Sequence, residues 1–589
     1  MSNFKKLLNS LKSIPARIVG FFRTHYFTLL LMLASGVLVT VIHPPLNLSW
    51  LAWIAWIPFM LACRPDMKVR PLMICAYMAG LCFWVGNLYW LVIVTTPGYI
   101  AFSFVQACYW PLMALSVRFI RQKNWPLFLA APIIFVGAEA IQGWLFTGFS
   151  WYYLAHSQYK HLQLIQICDI FGTLGLSVLI ALANGVLVDW MVCISRAAQA
   201  AGSGAQDRCS IGRLAPPRCC FSTILIALLI GASLWYGHIR LAETPACQTE
   251  GPLLGSVQPN VPAWVKEETN NAQSILDELI ADSKKCMDAG AVMVAWPETM
   301  VLAPMNPFFI NSYFRGSDES RSYRNQILAA CRDQGYIVFG ANGIARKQDK
   351  IEQYNSAYLY RPDGTPDPNI YHKIHLVPFG EFIPFRTIPW IYKIFMLFNP
   401  YDYDYSLTPG TEHTTFEIEA DENTYHFGVL ICYEDTDPTV TRKHVLADNN
   451  TKKCDFLVNI SNDGWYVRYK ERQVIPMVEL GQRTAISVFR CVENRISIIR
   501  SVNTGISCMI EPTGKLRNNY IAGTLPEPVM DRQGVAGWFV DSVPIDSRVT
   551  FFSKYGRWLD LVLGLFWSII LILSIYTACT KNLKHLSQP

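Results

Sequence analysis

The stretch Phe427-Gly-Val-Leu-Ile-Cys432-Tyr-Glu434 places a cysteine and a carboxylate directly after a short apolar run. Four to eight apolar and β-branched residues bounded by polar ones are typical of a buried strand. The end of a strand holds a side chain rigidly at the rim of a sheet, so we predict that Cys432 is a nucleophile on a sharp turn.

Two further stretches end in the same way, with a charged side chain after an apolar run: Ala291-Val-Met-Val-Ala-Trp-Pro-Glu298 and Tyr371-His-Lys373-Ile-His-Leu-Val-Pro-Phe-Gly-Glu381. A thiol is mostly protonated at neutral pH, so catalysis by Cys432 needs a base, which Glu298 can supply. A lysine near the attacked carbonyl stabilises an oxyanion by roughly 3–4 kcal/mol when well placed. Lys373 fits that role.

The region from 253 to 511 alternates apolar runs with helical patterns. The predicted strands are Leu253–Gln258, Ala291–Trp296, Tyr336–Gly340, Ser356–Tyr360, Phe427–Ile431, Phe456–Ile460, Arg495–Ser501 and Ile506–Glu511. The predicted helices between them are Asn271–Ala289, Tyr323–Gln334 and Ile475–Cys491. Strands that alternate with helices predict a layered α/β domain.

The chain as a whole is too apolar for a wholly soluble protein. Of 589 residues, 52% are hydrophobic and 16% are charged, which indicates a membrane class. Eight apolar runs are predicted to be transmembrane helices, seven of them long enough to cross about 30 Å of hydrocarbon and the one near 49–63 shorter. They lie near 26–43, 49–63, 71–95, 100–120, 125–146, 163–192, 221–239 and 558–580.

The basic residues follow alternate spans, which predicts the topology. They stand near the N-terminus and after the second, fourth, sixth and eighth spans: Lys5, Lys6, Lys12, Arg17 and Arg23; Arg64, Lys68 and Arg70; Arg118, Arg121 and Lys123; Arg196, Arg208, Arg213 and Arg218; Lys581 and Lys584. By the positive-inside rule both termini are cytoplasmic and the α/β domain is extracytoplasmic. The net charge of +6 is explained by these loops, so no nucleic-acid partner is predicted.

Three regions follow from this topology: a transmembrane bundle over 1–244, a catalytic domain over 245–545, and a last transmembrane helix with a cytoplasmic tail over 546–589. Two carboxylates, Glu139 and Asp169, fall inside apolar runs, where they either face the bundle interior or lie at a helix end near the interface. The cysteines show no zinc spacing, and neither a metal nor a cofactor is predicted.

Trp-Pro-Glu298, Lys373 and Cys432-Tyr-Glu434 in this order resemble the nitrilase, or carbon–nitrogen hydrolase, superfamily. The apolar bundle before them, the run Lys373-Ile-His-Leu-Val-Pro-Phe-Gly-Glu381 and Ser461-Asn-Asp-Gly-Trp465 resemble, within it, the apolipoprotein N-acyltransferases. The likeness covers nearly the whole chain and implies an αββα sandwich for the extracytoplasmic domain.

The resemblance implies a bacterial inner-membrane enzyme with a periplasmic catalytic domain. Glu298 would be the general base, Lys373 the oxyanion donor and Cys432 the nucleophile. An acyl chain would pass from a phospholipid through a Cys432 thioester to the α-amine of a diacylglyceryl-cysteine apolipoprotein. Glu381 would orient Lys373 or the acceptor amine, and the supporting residues expected near substrate are Trp264, Tyr433, Glu434 and Trp465.

Other readings stay open at this point. A membrane-tethered amidase would release the acyl group to water, a non-catalytic relative would have lost a triad residue, and a transporter would show broken helices in repeated halves. Cys432 could instead pair with a histidine, as in papain-like enzymes; the candidates are His372, His375 and His426. The outer cysteines could form disulfides: Cys247, Cys286, Cys331, Cys432, Cys454, Cys491 and Cys508.

An aromatic insertion at 388–405 is longer than a strand connection requires. With Pro304–Phe308 it is expected either to gate entry of acyl chains from the bilayer, with Trp390 and Phe398 as its apolar contacts, or to be a helix packed on the core.

Overall fold

The computed structural model describes residues 2–145, 147–202, 216–267, 271–347, 350–396, 404–448, 450–470 and 473–586. Predicted features at Arg208, Arg213 and Phe398 therefore lie outside the described residues. An N-terminal bundle of helices precedes the sheets. Its helices are Ser2–Val41, Ile57–Ala62, Val69–Asn87, Thr96–Ala107, Tyr109–Gln122, Leu127–Ala131, Gly137–Gln142, Leu162–Ile165, Cys168–Phe171, Thr173–Gly202 and Pro216–Ala242.

Within the described residues, six helices are long and apolar enough to cross a membrane: Val19–Val41, Val69–Asn87, Thr96–Gln122, Thr173–Gln199, Arg218–Ala242 and Trp558–Thr580. The protein is thus a multi-pass membrane protein. The two other predicted spans form shorter apolar helices, Ser49–Ala62 and Leu127–Gln142. Pro132 stands inside the second, where its missing N–H interrupts the α-helical ladder and a π turn covers 132–136.

The span expected near 163–192 begins later than predicted. Short helices cover Leu162–Ile165 and Cys168–Phe171, Gly172 then adopts a φ of +68°, and the long helix runs over Thr173–Gly202. A left-handed residue ends a helix, and glycine adopts that conformation without a Cβ clash. An apolar run alone does not reveal such a break.

The domain after the bundle is built on two sheets whose strands run from Gln248 to Asp546. The strands are β1 Gln248–Gln258, β2 Met293–Ala295, β3 Tyr336–Lys347, β4 Lys350–Tyr360, β5 Pro366–His372, β6 Thr415–Ala420, β7 Asn423–Ile431, β8 Phe456–Asn462, β9 Val467–Lys470, β10 Gln473–Pro476, β11 Ser497–Asn503, β12 Cys508–Ile510, β13 Ala522–Gly523 and β14 Gly537–Asp546.

One sheet has seven strands in the order β13-β14-β1-β2-β3-β4-β5, and the other has five in the order β12-β11-β8-β7-β6. The first sheet is mixed, with β1, β2 and β3 parallel, and β7, β8 and β11 are parallel in the second. The strands β9 and β10 form a separate antiparallel hairpin. Parallel neighbours bring their carboxyl ends to the same edge of a sheet.

The two sheets pack face to face, and helices cover their outer faces. Leu254 and Val338 of the first sheet share one buried core with Val429 and Val458 of the second. The hydroxyl of Ser501 donates to the carbonyl of Ala295 across the sheets at 2.8 Å. The outer helices are Ala272–Asp288 and Ser317–Cys331 on the first sheet and Val478–Asn494 on the second. The expected αββα sandwich is confirmed.

Buried ion pairs join the sandwich to the bundle. Asp169 accepts bonds from Arg495 of the sandwich at 2.7 Å and from Arg240 and Tyr236 of the bundle at 2.9 and 2.8 Å. Glu139 accepts a bond from the amide of Leu154 at 2.8 Å. Both carboxylates predicted inside apolar runs therefore have polar partners, as buried charges require.

The last helix, Trp558–Leu586, returns to the bundle and packs on Gly137–Gln142 and Tyr109–Gln122. In the aromatic insertion, helix Pro389–Met396 is described, with Trp390 67% exposed; positions 397–403 lie outside the described residues. Since Trp390 is not packed in the core, its apolar face is available for contact.

Candidate active site

Cys432 lies directly after β7, as the first residue of a 3₁₀ turn over Cys432–Thr436. Its φ is +52°, which is uncommon for a residue with a Cβ, and it is only 7% exposed. Such backbone conformations persist where the surrounding structure over-determines them. The sharp turn predicted from the sequence is thus present.

Glu434 holds this turn in place. One of its carboxylate oxygens accepts the amide of Ile431 at 2.7 Å. The other accepts the amides of Ile374 and His375 at 2.7 and 3.0 Å and the phenol of Tyr371 at 2.8 Å. The carboxylate is fully buried and joins the end of β7 to the segment that carries Lys373. Its hydrogen bonds therefore come from three backbone amides and one phenol of the protein.

Glu298 lies three residues beyond the end of β2 and is 5% exposed. One carboxylate oxygen accepts the side-chain amide of Asn355 at 2.7 Å and the Lys373 ammonium at 3.2 Å. The other accepts the backbone amide of Asn462 at 3.0 Å. The Cys432 side chain lies close enough to this carboxylate for the two groups to shift each other's pKa. The structure thus brings the three predicted residues together from strand ends of both sheets.

Lys373 follows β5 and is 1% exposed. Besides Glu298, its Nζ contacts Glu381 Oε1 at 2.8 Å. Asn355 donates its amide to both carboxylates, reaching Glu381 Oε1 at 2.9 Å, while Glu381 Oε2 accepts the amide of Val377 at 2.8 Å. Glu381 therefore pairs with the Lys373 ammonium, which is the contact that one of its two expected roles, the orientation of Lys373, would need.

The pKa values of the three groups show how protons are distributed. Burial raises the pKa of Cys432 to about 12, with the Glu298 charge adding to the rise and Lys373 and Arg483 opposing it. Burial also disfavours the ionised form of Glu298, but the Lys373 charge, the Asn355 bond and the Lys266 charge outweigh it and hold its pKa below the ordinary value. The resting state is a thiol beside a carboxylate.

The pKa of Lys373 moves the other way. Burial disfavours the ammonium, but the charges of Glu298 and Glu381 outweigh burial and raise the pKa above its ordinary value. Lys373 therefore stays protonated, as a donor to an oxyanion must.

A buried network of ion pairs lies next to Cys432, and it was not predicted from the sequence. Arg483 Nη1 lies 3.8 Å from Cys432 Sγ and 2.7 Å from Asp463 Oδ1. Its Nε donates to Asp435 at 3.0 Å, and Asp435 also accepts from Arg500 and Ser487. Arg483 stands on helix Val478–Asn494, which is buried from Glu479 to its end, and the sequence alone does not reveal that burial.

The other expected supporting residues occupy different places. Tyr433 faces the bundle, where its hydroxyl donates to the carbonyl of Gly148 at 2.8 Å. Trp264 and Trp465 are 49% and 45% exposed; they stand on the short helix Ala263–Glu267 and on the turn Asp463–Tyr466. Asn355 and Lys266 were not singled out in the sequence, because isolated polar residues of these types are common in loops and strands. Asn462 was noted only as a member of the motif at 461–465.

The histidine alternative finds no support among the described residues. His372 Nδ1 lies 2.7 Å from Ser356 Oγ, His375 Nδ1 lies 2.6 Å from Asp437, and His426 Nε2 lies 3.4 Å from Glu417. No hydrogen bond joins any of them to Cys432 in the described part of the chain. The seven outer cysteines are all free thiols there, so the structure contains none of the disulfides considered above.

Comparison with known proteins agrees with this architecture. Residues 35–186 match the apolipoprotein N-acyltransferase N-terminal domain, and residues 253–520 match the carbon–nitrogen hydrolase family. Among solved structures, a mutant of an amidase from the nitrilase superfamily of Nesterenkonia is 13% identical and covers 53% of this chain and 97% of its own, with a TM-score of 0.35. The fold and the matched families define a membrane-embedded acyltransferase of the carbon–nitrogen hydrolase superfamily.

Two relatives identify the family within this class. An apolipoprotein N-acyltransferase of Geobacter metallireducens is 31% identical over 90% of this chain and 91% of its own length. One of Chlorobaculum tepidum is 24% identical over 94% of this chain and 97% of its own. The chain belongs to the apolipoprotein N-acyltransferase family, and its function is the N-acylation of lipoproteins.

Proposed function

We propose that this acyltransferase moves a fatty acyl chain from a phospholipid to the α-amine of a diacylglyceryl-cysteine apolipoprotein through a thioester on Cys432. The observation that carries the proposal is the buried ion pair of Glu298 with Lys373 at 3.2 Å, together with the Cys432 thiol, which is near enough to interact electrostatically with both groups. A carboxylate can act as the base, an ammonium as the oxyanion donor and a thiol as the nucleophile.

In the first step Glu298 takes the thiol proton while the sulfur attacks the ester carbonyl of the phospholipid. Because the thiol pKa is about 12, removal of the proton has to accompany the attack. Lys373 stabilises the oxyanion of the tetrahedral intermediate. When the C–O bond breaks, the protonated Glu298 returns its proton to the leaving oxygen, and a lysophospholipid departs.

In the second step the α-amine of the acceptor attacks the thioester carbonyl, and Glu298 accepts a proton from the nitrogen. The C–S bond breaks, an amide forms, and the proton returns to the Cys432 sulfur. The same carboxylate serves both steps, since its hydrogen bonds from Asn355 and Asn462 keep it in place between them. Glu381 positions Lys373 throughout.

The membrane orientation is part of the proposal: a bacterial inner membrane with the sandwich on the periplasmic side. Basic residues gather at one end of the bundle, where Arg118 donates to Met67 at 2.7 Å and Arg196 to Asn124 at 2.9 Å. The sandwich contacts the opposite helix ends, for example at Gly148 and Asp169. The positive-inside rule assigns the basic end to the cytoplasm.

Mass spectrometry of the full-length protein tests the chemistry. The protein in detergent is incubated with a phospholipid that carries a single known fatty acid, and the expected product is that acyl mass on the Cys432 peptide. Cys432→Ala should abolish the adduct. Cys454→Ala is the matched control, since Cys454 is a buried thiol elsewhere in the sandwich.

The second half of the experiment separates transfer from hydrolysis. A diacylglyceryl lipopeptide with a free α-amine should discharge the adduct and appear as its amide, whereas the same lipopeptide with a blocked amine should not. Release of free fatty acid in both cases would instead support the membrane-tethered amidase. An acyl mass on any other residue would overturn the role of Cys432.

A further inference from the structure

A second lysine lies near Glu298 and contacts the residue that follows it in the chain. Lys266 is on the short helix Ala263–Glu267, and its Nζ donates to Thr299 Oγ1 at 2.6 Å. Thr299 directly follows Glu298 and has a φ of +49°. The Lys266 ammonium is close enough to Glu298 and Cys432 for its charge to interact with both.

This ammonium is less well satisfied than that of Lys373. An ammonium has three N–H donors, and among the described residues Lys266 donates only to Thr299 and forms no ion pair. Burial lowers its pKa to about 8, with the charges of Glu298 and Cys432 opposing the fall. Lys373, in contrast, has two carboxylates within 3.2 Å. A partly buried ammonium without an ion-pair partner is incompletely satisfied, so a substrate anion would complete the site.

Resting on the function proposed above, we propose that Lys266 binds the phosphate of the phospholipid donor and so places the donor ester at Cys432. The phosphodiester of a phospholipid lies on the same glycerol backbone as the ester that reacts. Lysine binds phosphate as a point charge with free donors. The donor phosphate would thus pair with Lys266, the cation near Glu298 that forms no ion pair with the described carboxylates.

The acceptor is a poorer partner for Lys266. Its reacting group is an amine, which is cationic when protonated and is repelled by an ammonium. Trp264, two residues before Lys266, is half-exposed and offers an apolar surface beside the same site, which suits a group that joins a phosphate to acyl chains. The charge of Lys266 and the apolar surface of Trp264 therefore both favour binding of the phospholipid donor over binding of the acceptor.

Two acyl donors test the assignment: phosphatidylglycerol and diacylglycerol with the same fatty acids, the second lacking the phosphate. Loading of Cys432 is followed by mass spectrometry on the full-length protein in detergent. Lys266→Met should slow loading from phosphatidylglycerol by about 10- to 100-fold, the effect of one lost charged hydrogen bond. Loading from diacylglycerol should change less than about twofold.

Two control variants keep the result interpretable. Lys266→Arg retains the charge and should keep most of the preference for phosphatidylglycerol. Lys284→Met removes an exposed lysine on helix Ala272–Asp288 and should behave as wild type with both donors. If Lys266→Met does not fold, as judged by thermal unfolding in detergent, the comparison of Lys266→Arg with wild type on the two donors carries the test.

Equal losses with both donors would overturn the phosphate role, because Lys266 would then act on Glu298 or Cys432. Unchanged loading from both would also overturn it. Excess inorganic phosphate should leave all rates unchanged; inhibition that disappears in Lys266→Met would show a site for free phosphate instead. A wild-type protein that is not acylated on Cys432 by either donor would contradict the proposed function itself, which is a distinct outcome.

Discussion

The Tyr433 hydroxyl donates a hydrogen bond to the Gly148 carbonyl at 2.8 Å, which ties the nucleophile turn to a loop of the membrane bundle. The Tyr433 ring also stacks on Trp151, with centroids 5.9 Å apart and planes at 5°. Because Tyr433 directly follows Cys432, these two contacts fix the position of Cys432 relative to the bundle. The proposed transfer from a phospholipid needs Cys432 near the membrane surface and therefore depends on that position.

Tyr433→Phe is expected to lower the rate of Cys432 acylation from phospholipid about 3- to 10-fold, since it removes one hydrogen bond of about 1 kcal/mol but keeps the stack. Tyr433→Ala removes both contacts and should lose more. Acylation rates from detergent-solubilised phospholipid measure the effect. Tyr313→Phe is the control, because Tyr313 is fully exposed. Wild-type rates in both Tyr433 variants would show that the bundle does not position the nucleophile.

Glu434→Gln should destabilise the sandwich by roughly 1–3 kcal/mol. The glutamine oxygen can replace the carboxylate oxygen that accepts three donors, but its NH₂ group then faces the amide of Ile431, a donor against a donor. Thermal unfolding in detergent, together with Cys432 acylation, measures the loss. Glu417→Gln, on the half-exposed β6, serves as the matched control. An unchanged unfolding temperature would contradict the role of Glu434 as the anchor of the turn.

The pKa values predict a defined pH profile for the reactivity of Cys432. The pKa of Glu298 is held below its ordinary value of 4.5, so the carboxylate is present above that pH and is lost as pH falls through the lowered pKa. The rate at which a small neutral electrophile alkylates Cys432 should therefore be independent of pH near neutrality and fall only in strongly acidic solution.

Glu298→Gln removes the base and should abolish that level region. The rate should then rise continuously with pH toward the thiol pKa, because only the thiolate formed by hydroxide reacts. That pKa should be lower than in the wild type, since the Glu298 charge that adds to the raised pKa is gone. Alkylation rates of both proteins, read as the modified Cys432 peptide, make the comparison. Identical profiles would mean that Glu298 does not take the thiol proton.

Much of this arrangement follows from local sequence. Cys432 and Glu298 each stand just beyond an apolar run, and strand ends in neighbouring layers meet at one rim. Lys373 follows the mostly polar β5, Pro366–His372, so hydropathy alone does not place it. The strands β5, β6, β9, β10, β13 and β14 were not predicted. β14 pairs with β1 across nearly 300 residues of sequence, from Gln248↔Asp546 to Gln258↔Gly537, a relation that no local pattern contains.

The residues that complete the site could not be predicted for a related reason. Asn355 acts by bridging Glu298 and Glu381, and Arg483 by lying against Cys432 from a helix 51 positions later in the chain. Such roles depend on tertiary contacts, and a buried arginine resembles a surface arginine in sequence. Likewise, one transmembrane helix begins later than predicted, after the break at Gly172, because hydropathy shows the length of an apolar run but not where a helix starts.

Arg483→Met should cost about 3–5 kcal/mol of stability, the usual effect of leaving a buried ion pair half intact. The variant leaves Asp463 with only the hydroxyl of Ser461 at 2.7 Å. The double variant Asp463→Asn with Arg483→Met removes the stranded charge and should recover part of the stability, so the two sites should couple in a double-mutant cycle.

Reactivity should not recover in that double variant. The Arg483 charge lowers the pKa of Cys432 against the effect of burial, so its loss raises the thiol pKa further and slows alkylation whether or not Asp463 is charged. Arg532→Met is the matched control, since Arg532 is fully buried in the same sandwich and donates to the Ser507 carbonyl at 2.9 Å. It should lose stability while Cys432 keeps its wild-type alkylation rate. Recovery of both stability and reactivity in the double variant would show that Arg483 only neutralises Asp463, and the charge beside the sulfur would then have no part in the chemistry.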